Sequence, residues 1–136
     1  MKCAVSRTAG RPAACNHQSV ATTLLIVDDH PSFRTNAREL LEAEGFEVVG
    51  EAEDGASGLA AIGELCPDVV LLDVQLPDMN GFEVASKVTA NGSRSAIVLV
   101  SSRDGSDFGP LVLESGARGF IPKGELSGER LTALLG

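Results

Sequence analysis

Three runs of four consecutive aliphatic residues, each closed by a polar side chain, constrain this 136-residue chain more than any other feature. Leu24-Leu25-Ile26-Val27 runs into Asp28-Asp29, Val69-Val70-Leu71-Leu72 into Asp73, and Ile97-Val98-Leu99-Val100 into Ser101-Ser102. A short segment that is apolar at every position reads as a strand buried on both faces, as in a parallel sheet covered by helices.

The intervening segments have helical spacing. Residues 32–43 place Phe33, Ala37, Leu40 and Leu41 on one face, with Pro31 suited to the first turn and Gly45 to the C-terminal cap. A strand is expected around residues 47–51, and a helix over 55–65 carries Leu59, Ile62 and Leu65 until Pro67 breaks it. After a loop over 75–80, Gly81 opens a helix in which Phe82, Ala85 and Val88 share a face. A short helix near 107–114, a strand at 119–121 and a last helix near 127–134 complete the pattern. Five strands alternating with five helices imply parallel strands and right-handed crossovers. In so few residues the fold class is α/β with an open doubly wound sheet, since a barrel needs about 250 residues.

The composition fits one domain, residues 23–136, behind a flexible extension, residues 1–22. Hydrophobic residues make up 43% without Trp or Tyr, so the core is aliphatic. Net charge is −8, and because Lys2, Arg7 and Arg11 sit in the acid-free extension, the domain is more acidic still. Such a body repels phosphate backbones, which argues against direct nucleic-acid binding. No apolar stretch approaches the roughly 20 residues of a membrane span. Cys3, Cys15 and Cys66 form no CxxC pair, so reduced thiols and a cytoplasmic location are expected.

In doubly wound sheets ligands sit beyond the C-terminal strand ends. Those ends carry Asp28 and Asp29, Asp73, Ser101 and, after the fifth strand, Lys123, whereas Glu51, Glu53 and Asp54 after the second read as solvated loop acids. Alone, each aspartate would be a loop starter, Ser101 a turn residue and Lys123 a surface charge; their joint placement carries the argument. Two like charges about 4 Å apart cost roughly 4 kcal/mol at an effective dielectric of 20, so three ionised carboxylates call for a cation. An oxygen-only donor set points to Mg²⁺, and acids, metal and lysine together suit phosphoryl transfer.

The segments LLIVDDHPSF, PDVVLLDVQLPDMNGFEV, IVLVSS and GARGFIPK, in this order, resemble the receiver domain of response regulators in two-component signalling. The resemblance covers the chain from about Thr23 onward and implies a flavodoxin-like sheet of order 2-1-3-4-5. It implies that Asp73 accepts a phosphoryl group from a sensor histidine kinase, a phosphotransfer protein or a small phosphodonor. Asp28, Asp29, Asp73 and the backbone carbonyl of Gln75 would hold Mg²⁺. Ser101 and Lys123 would each contact a phosphoryl oxygen, and Phe120 would be the switch aromatic that follows Ser101. The chain would then be a signalling domain that assists its own phosphorylation and dephosphorylation, not an enzyme.

His30 beside the acid pair resembles receivers that usually precede a helix-turn-helix module, and its own role is read as that of a loop residue. Only 13 residues follow Lys123, so a stand-alone receiver is expected, a monomer or weak dimer signalling to an unknown output protein through the surface of the fourth helix, fifth strand and fifth helix. Three features depart from the family pattern. Pro122 precedes Lys123 and Gly124 follows it, where the family often has a proline after the lysine, and Gln75 and Arg103 line the path of hydrolytic water. An aspartyl hydrolase of the haloacid-dehalogenase type would want a second Asp where Gln75 stands, and a nucleotide- or flavin-binding sheet would want a Gly-rich loop after the first strand. The remaining alternative is a pseudo-receiver that binds partners without phosphorylation.

Overall fold

The computed structural model describes residues 21–102 and 110–135. The elements in chain order are β1 (Thr23–Val27), α1 (Pro31–Ala43), β2 (Glu47–Ala52), α2 (Gly55–Leu65), β3 (Val69–Asp73), α3 (Gly81–Ala90), β4 (Ala96–Ser101), α4 (Leu111–Glu114), β5 (Gly119–Pro122) and α5 (Gly128–Leu135), with a 3-10 turn at Lys123–Glu125. The five strands form one sheet of order β2-β1-β3-β4-β5, and every pairing is parallel. The α/β doubly wound fold expected from the apolar runs is the fold observed.

Alternation along the buried strands divides the core in two, because successive side chains point to opposite faces. Leu25, Val27, Val70, Leu72, Ile97 and Leu99 pack with Ile62 of α2, Val84, Ala85 and Val88 of α3, and Val112 of α4. Leu24, Ile26, Val69, Leu71, Val98 and Val100 pack with Ala37 and Leu41 of α1 and Leu131 of α5. Each buried Val, Leu or Ile among them stabilises the fold by about 1.5–3 kcal/mol. Order reverses at β1, flanked by β2 and β3, and that switch point is where the crevice of a doubly wound sheet opens.

The helix ends follow from local chemistry. Pro31 starts α1, and Gly45 at φ +100° lets the chain leave it. Asp54 is no solvated loop acid. It caps α2 in a reciprocal box with Ser57, an Asp-x-x-Ser spacing legible in the sequence. Asn80 and Glu83 box the start of α3 in the same way. A Cβ on Gly81 would come within 2.5 Å of the Asp73 carbonyl oxygen, so only glycine lets α3 begin this close to the end of β3.

Several sequence expectations are corrected. Leu40 is 37% exposed, because α1 rests on the sheet through Ala37 and Leu41. α4 spans only Leu111–Glu114; the rest of the helix expected near 107–114, and Arg103, lie outside the described residues. β5 continues through Pro122, and the 3-10 turn after it was not anticipated. Among the described residues no helix is long and apolar enough to cross a membrane.

Candidate functional site

β1 and β3 pair in register, so the residues that follow their buried runs emerge side by side. Asp28 is fully buried and Asp73 is 3% exposed, whereas Asp29 opens to solvent. The Asp28 amide donates to the Ala52 carbonyl, extending β1 beyond its last ladder residue and holding the acid at the sheet edge. Asp73 lies opposite Val100 of β4, and the next amide, of Val74, donates to the Val100 carbonyl. Ser101, 2% exposed, ends β4 opposite Pro122, which delivers Lys123.

Lys123 reaches this end of the sheet without a proline after it, and no described peptide bond is cis. Its Nζ lies 2.7 Å from Asp28 Oδ2 and 3.5 Å from Asp73 Oδ2. Even so, Oδ2 of both buried aspartates has no hydrogen-bond partner. The ammonium meets Asp28 as a nearby charge outside the hydrogen-bonding directions of that oxygen, which satisfies its charge but not its lone pairs. Burial, and then the neighbouring Asp28, push the Asp73 carboxyl up to about 6 against the opposing pull of Lys123.

His30, which the sequence left as a loop residue, belongs to the same cluster. Its Nδ1 is 3.0 Å from Asp28 Oδ1 and 3.1 Å from Asp29 Oδ1, and its backbone N–H donates to Asp28 Oδ1. Ligand atoms of Asp28, Asp29, His30 and Asp73 all lie within 4.8 Å of one another. Three carboxylates, two of them with a partnerless buried oxygen, form a hard-oxygen set suited to Mg²⁺.

The walls of the site rest on contacts that sequence spacing did not reveal. Arg34 donates from Nη1 to the Asp28 carbonyl at 2.5 Å and from Nε to Glu51 at 3.0 Å. Glu51 also accepts from Arg38 at 2.7 Å, and that bond first of all, then Arg34, holds its carboxyl below the usual range. On the other side, Asp78 accepts from the Gly55 and Ala56 amides at the start of α2, so the loop after β3 is pinned to a helix. Those bonds, Gly55 first, hold the Asp78 carboxyl low as well. Within that loop the Gln75 amide donates to Asp73 Oδ1, and Gln75 bridges to Asn80. Phe120, half-buried in β5, packs against the α2–α3–α4 side of the core.

Residues 24–135 match the family described as the response regulator receiver domain. The chain is 39% identical over 102 residues to the transcription regulator BvgA of Bordetella pertussis, covering 75% of this chain and 49% of that protein. It is 36% identical over 112 residues to the response regulator GacA of Pseudomonas syringae pv. syringae, covering 82% and 52%. The chain thus spans about half the length of these curated relatives. Among solved structures, the signal receiver domain of NarL from Mycobacterium tuberculosis superposes with a TM-score of 0.76 at 35% identity, covering 85% of this chain and 98% of that one.

Proposed function

Because the chain belongs to the response-regulator receiver family, a phospho-acceptor of two-component signalling, we propose that Asp73 is the residue phosphorylated and that Asp28, Asp29, Asp73 and the Gln75 carbonyl hold the Mg²⁺ the reaction uses. The observation that carries this reading is the pair of buried carboxylate oxygens, on Asp28 and Asp73, left without hydrogen-bond partners. Natural cores pair such atoms, so an orphaned pair beside a lysine marks a place for a cation and a charged group.

When bound, Mg²⁺ supplies charge neutralisation between the carboxylates and the incoming phosphoryl oxygens. The chain's residues do the rest. An ionised Asp73 oxygen attacks phosphorus, forming the O–P bond of an acyl phosphate while the bond to the donor's imidazole nitrogen breaks and that nitrogen keeps the electron pair. Since burial raises Asp73 to about 6, the carboxylate is mainly ionised and available near neutral pH. Lys123, already 3.5 Å from Asp73 Oδ2, pairs with one phosphoryl oxygen, and the Ser101 hydroxyl donates to another. Asp78, by pinning the loop after β3 to α2, keeps Gln75 in place. Phe120 follows Ser101 and passes the change to the face of α4, β5 and α5, where Leu111 and Leu113 stand exposed.

The expected donor is a sensor histidine kinase or a phosphotransfer protein in the cytoplasm, and the added charge biases a surface read by an output partner. The test is intact mass after incubation with Mg²⁺ and a small acyl phosphate. Wild type should gain one phosphoryl group, and Asp73→Asn, or wild type with chelator, should gain none. A folded wild type that gains nothing from acyl phosphate or from a panel of histidine kinases would leave a binding module that works without phosphorylation.

A further inference from the structure

Lys123 lacks the local restraint that a following proline would give it. Gly124, the next residue, has no side chain, and a Cβ there would meet nothing within 4 Å. A lysine side chain carries about 2 kcal/mol of rotamer freedom that must be held down if its ammonium is to wait over the site. The restraint comes from α1. Phe33, in the first turn of that helix and half-buried against the core layer of α1 and α5, presents its ring 4.6 Å from Lys123 Nζ.

We propose that Phe33 is the positioning residue for Lys123, holding the ammonium over the acidic site by a cation–π contact while leaving it free to change anionic partner. The inference rests on the reading of Lys123 as the group that pairs with the phosphoryl oxygen. A ring face attracts a cation out to about 6 Å from its centroid without fixing it to one point. Nζ can therefore pass from Asp28 Oδ2, 2.7 Å away, toward an oxygen carried on Asp73 without leaving the ring. A carboxylate in the place of Phe33 would hold the ammonium against such a transfer, and an aliphatic side chain would not attract it. His30 Nδ1, 3.5 Å from Nζ, lies on the carboxylate side and does not replace the ring.

The sequence makes a direct test simple, since Lys2, Lys87 and Lys123 are the only lysines. In metal-free protein labelled with ¹³C-lysine, the Lys123 ε-methylene protons should be shifted upfield by the ring. The shift should vanish in Phe33→Leu, which keeps an apolar side chain against the core, and persist in Phe33→Tyr. With saturating Mg²⁺ and acyl phosphate, Phe33→Leu should slow phosphorylation by roughly 3–10-fold, and Phe33→Tyr should stay within about 2-fold of wild type. In a Lys123→Ala background, Phe33→Leu should produce no further slowing. The proposal is overturned if Phe33→Leu reacts at the wild-type rate, if it slows the Lys123→Ala protein equally, or if wild type shows no ring shift. Failure of wild type to accept phosphate at all would strike the reading of the site, and the ring shift would still report the contact.

Discussion

The two ends of the same three central strands are finished in opposite ways. At the amino end, Thr23 and Asp68 close on each other, the Thr23 amide donating to Asp68 Oδ2 at 3.0 Å and the Asp68 amide to Thr23 Oγ1 at 2.9 Å. Nearby, the Ser95 hydroxyl donates to the Pro67 carbonyl at 2.6 Å. At the carboxyl end, Asp28 and Asp73 are buried more deeply than Asp68 or Ser95, yet one oxygen of each has no hydrogen-bond partner. Satisfied polar groups make the amino end a floor that contributes stability. The carboxyl end is a roof whose cost to the metal-free fold is the same feature that suits it to receive a cation and a phosphoryl group.

Removing one charge from the roof tests that contrast most strongly. Folding raises Asp73 from an ordinary 3.8 to about 6, so between those values the native state holds more protons than the unfolded state. Its stability therefore falls as pH rises through that window and levels off above it. In chelator, Asp73→Asn should be more stable than wild type by on the order of 2 kcal/mol at pH 7.5, a rise in Tm of roughly 8–16 °C. At pH 5 the gain should be smaller, and saturating Mg²⁺ should reduce it by stabilising wild type. Thermal melts followed by circular dichroism decide the matter. A gain that ignores both pH and Mg²⁺ would mean that Asp73 is not under the strain described.

The floor should answer in the opposite sense. Asp68→Ala leaves the Thr23 amide without its acceptor and should cost about 1 kcal/mol, the net worth of a hydrogen bond of this kind. The loss should be equal in chelator and in Mg²⁺, because the two ends of the strands are coupled only through a rigid sheet. If Mg²⁺ altered it, floor and roof would not be separable.

The sequence shows the roof better than the floor for a physical reason. A buried parallel strand is apolar at every position, so its first polar residue marks where it meets the crevice, and Asp28, Asp73 and Ser101 each stand at such a step. Thr23 and Asp68 are 45 residues apart and carry no periodic signal. The same holds for the contact of Phe33 with Lys123, the clamp of Arg34 on the Asp28 carbonyl, and the approach of His30 to the acids, all of which depend on how α1 lies on the sheet. Phe33 was legible as a core-facing helical residue, but the ammonium over the face of its ring was not.

Glu51 lies between the two cases, at the carboxyl end yet satisfied, and should show the smallest effect. Its carboxylate accepts from Arg38 and Arg34, and those bonds lower its pKa where the roof raises that of Asp73. The sign of its linkage is therefore reversed. A depressed carboxyl stabilises the fold above its ordinary value of 4.5 and loses that contribution as pH falls through its folded value. The three side chains are partly exposed and screened by solvent, so Glu51→Gln should cost only about 0.5 kcal/mol near pH 7. The deficit should shrink below pH 4.5 and in high salt. Arg34 keeps its bond to the Asp28 carbonyl in this variant, so Mg²⁺ affinity should stay within about 2-fold of wild type. A deficit that grew on acidification would contradict the pairing. A large fall in Mg²⁺ affinity would make Glu51 part of the roof, with the boundary between strained and satisfied acids one strand further out.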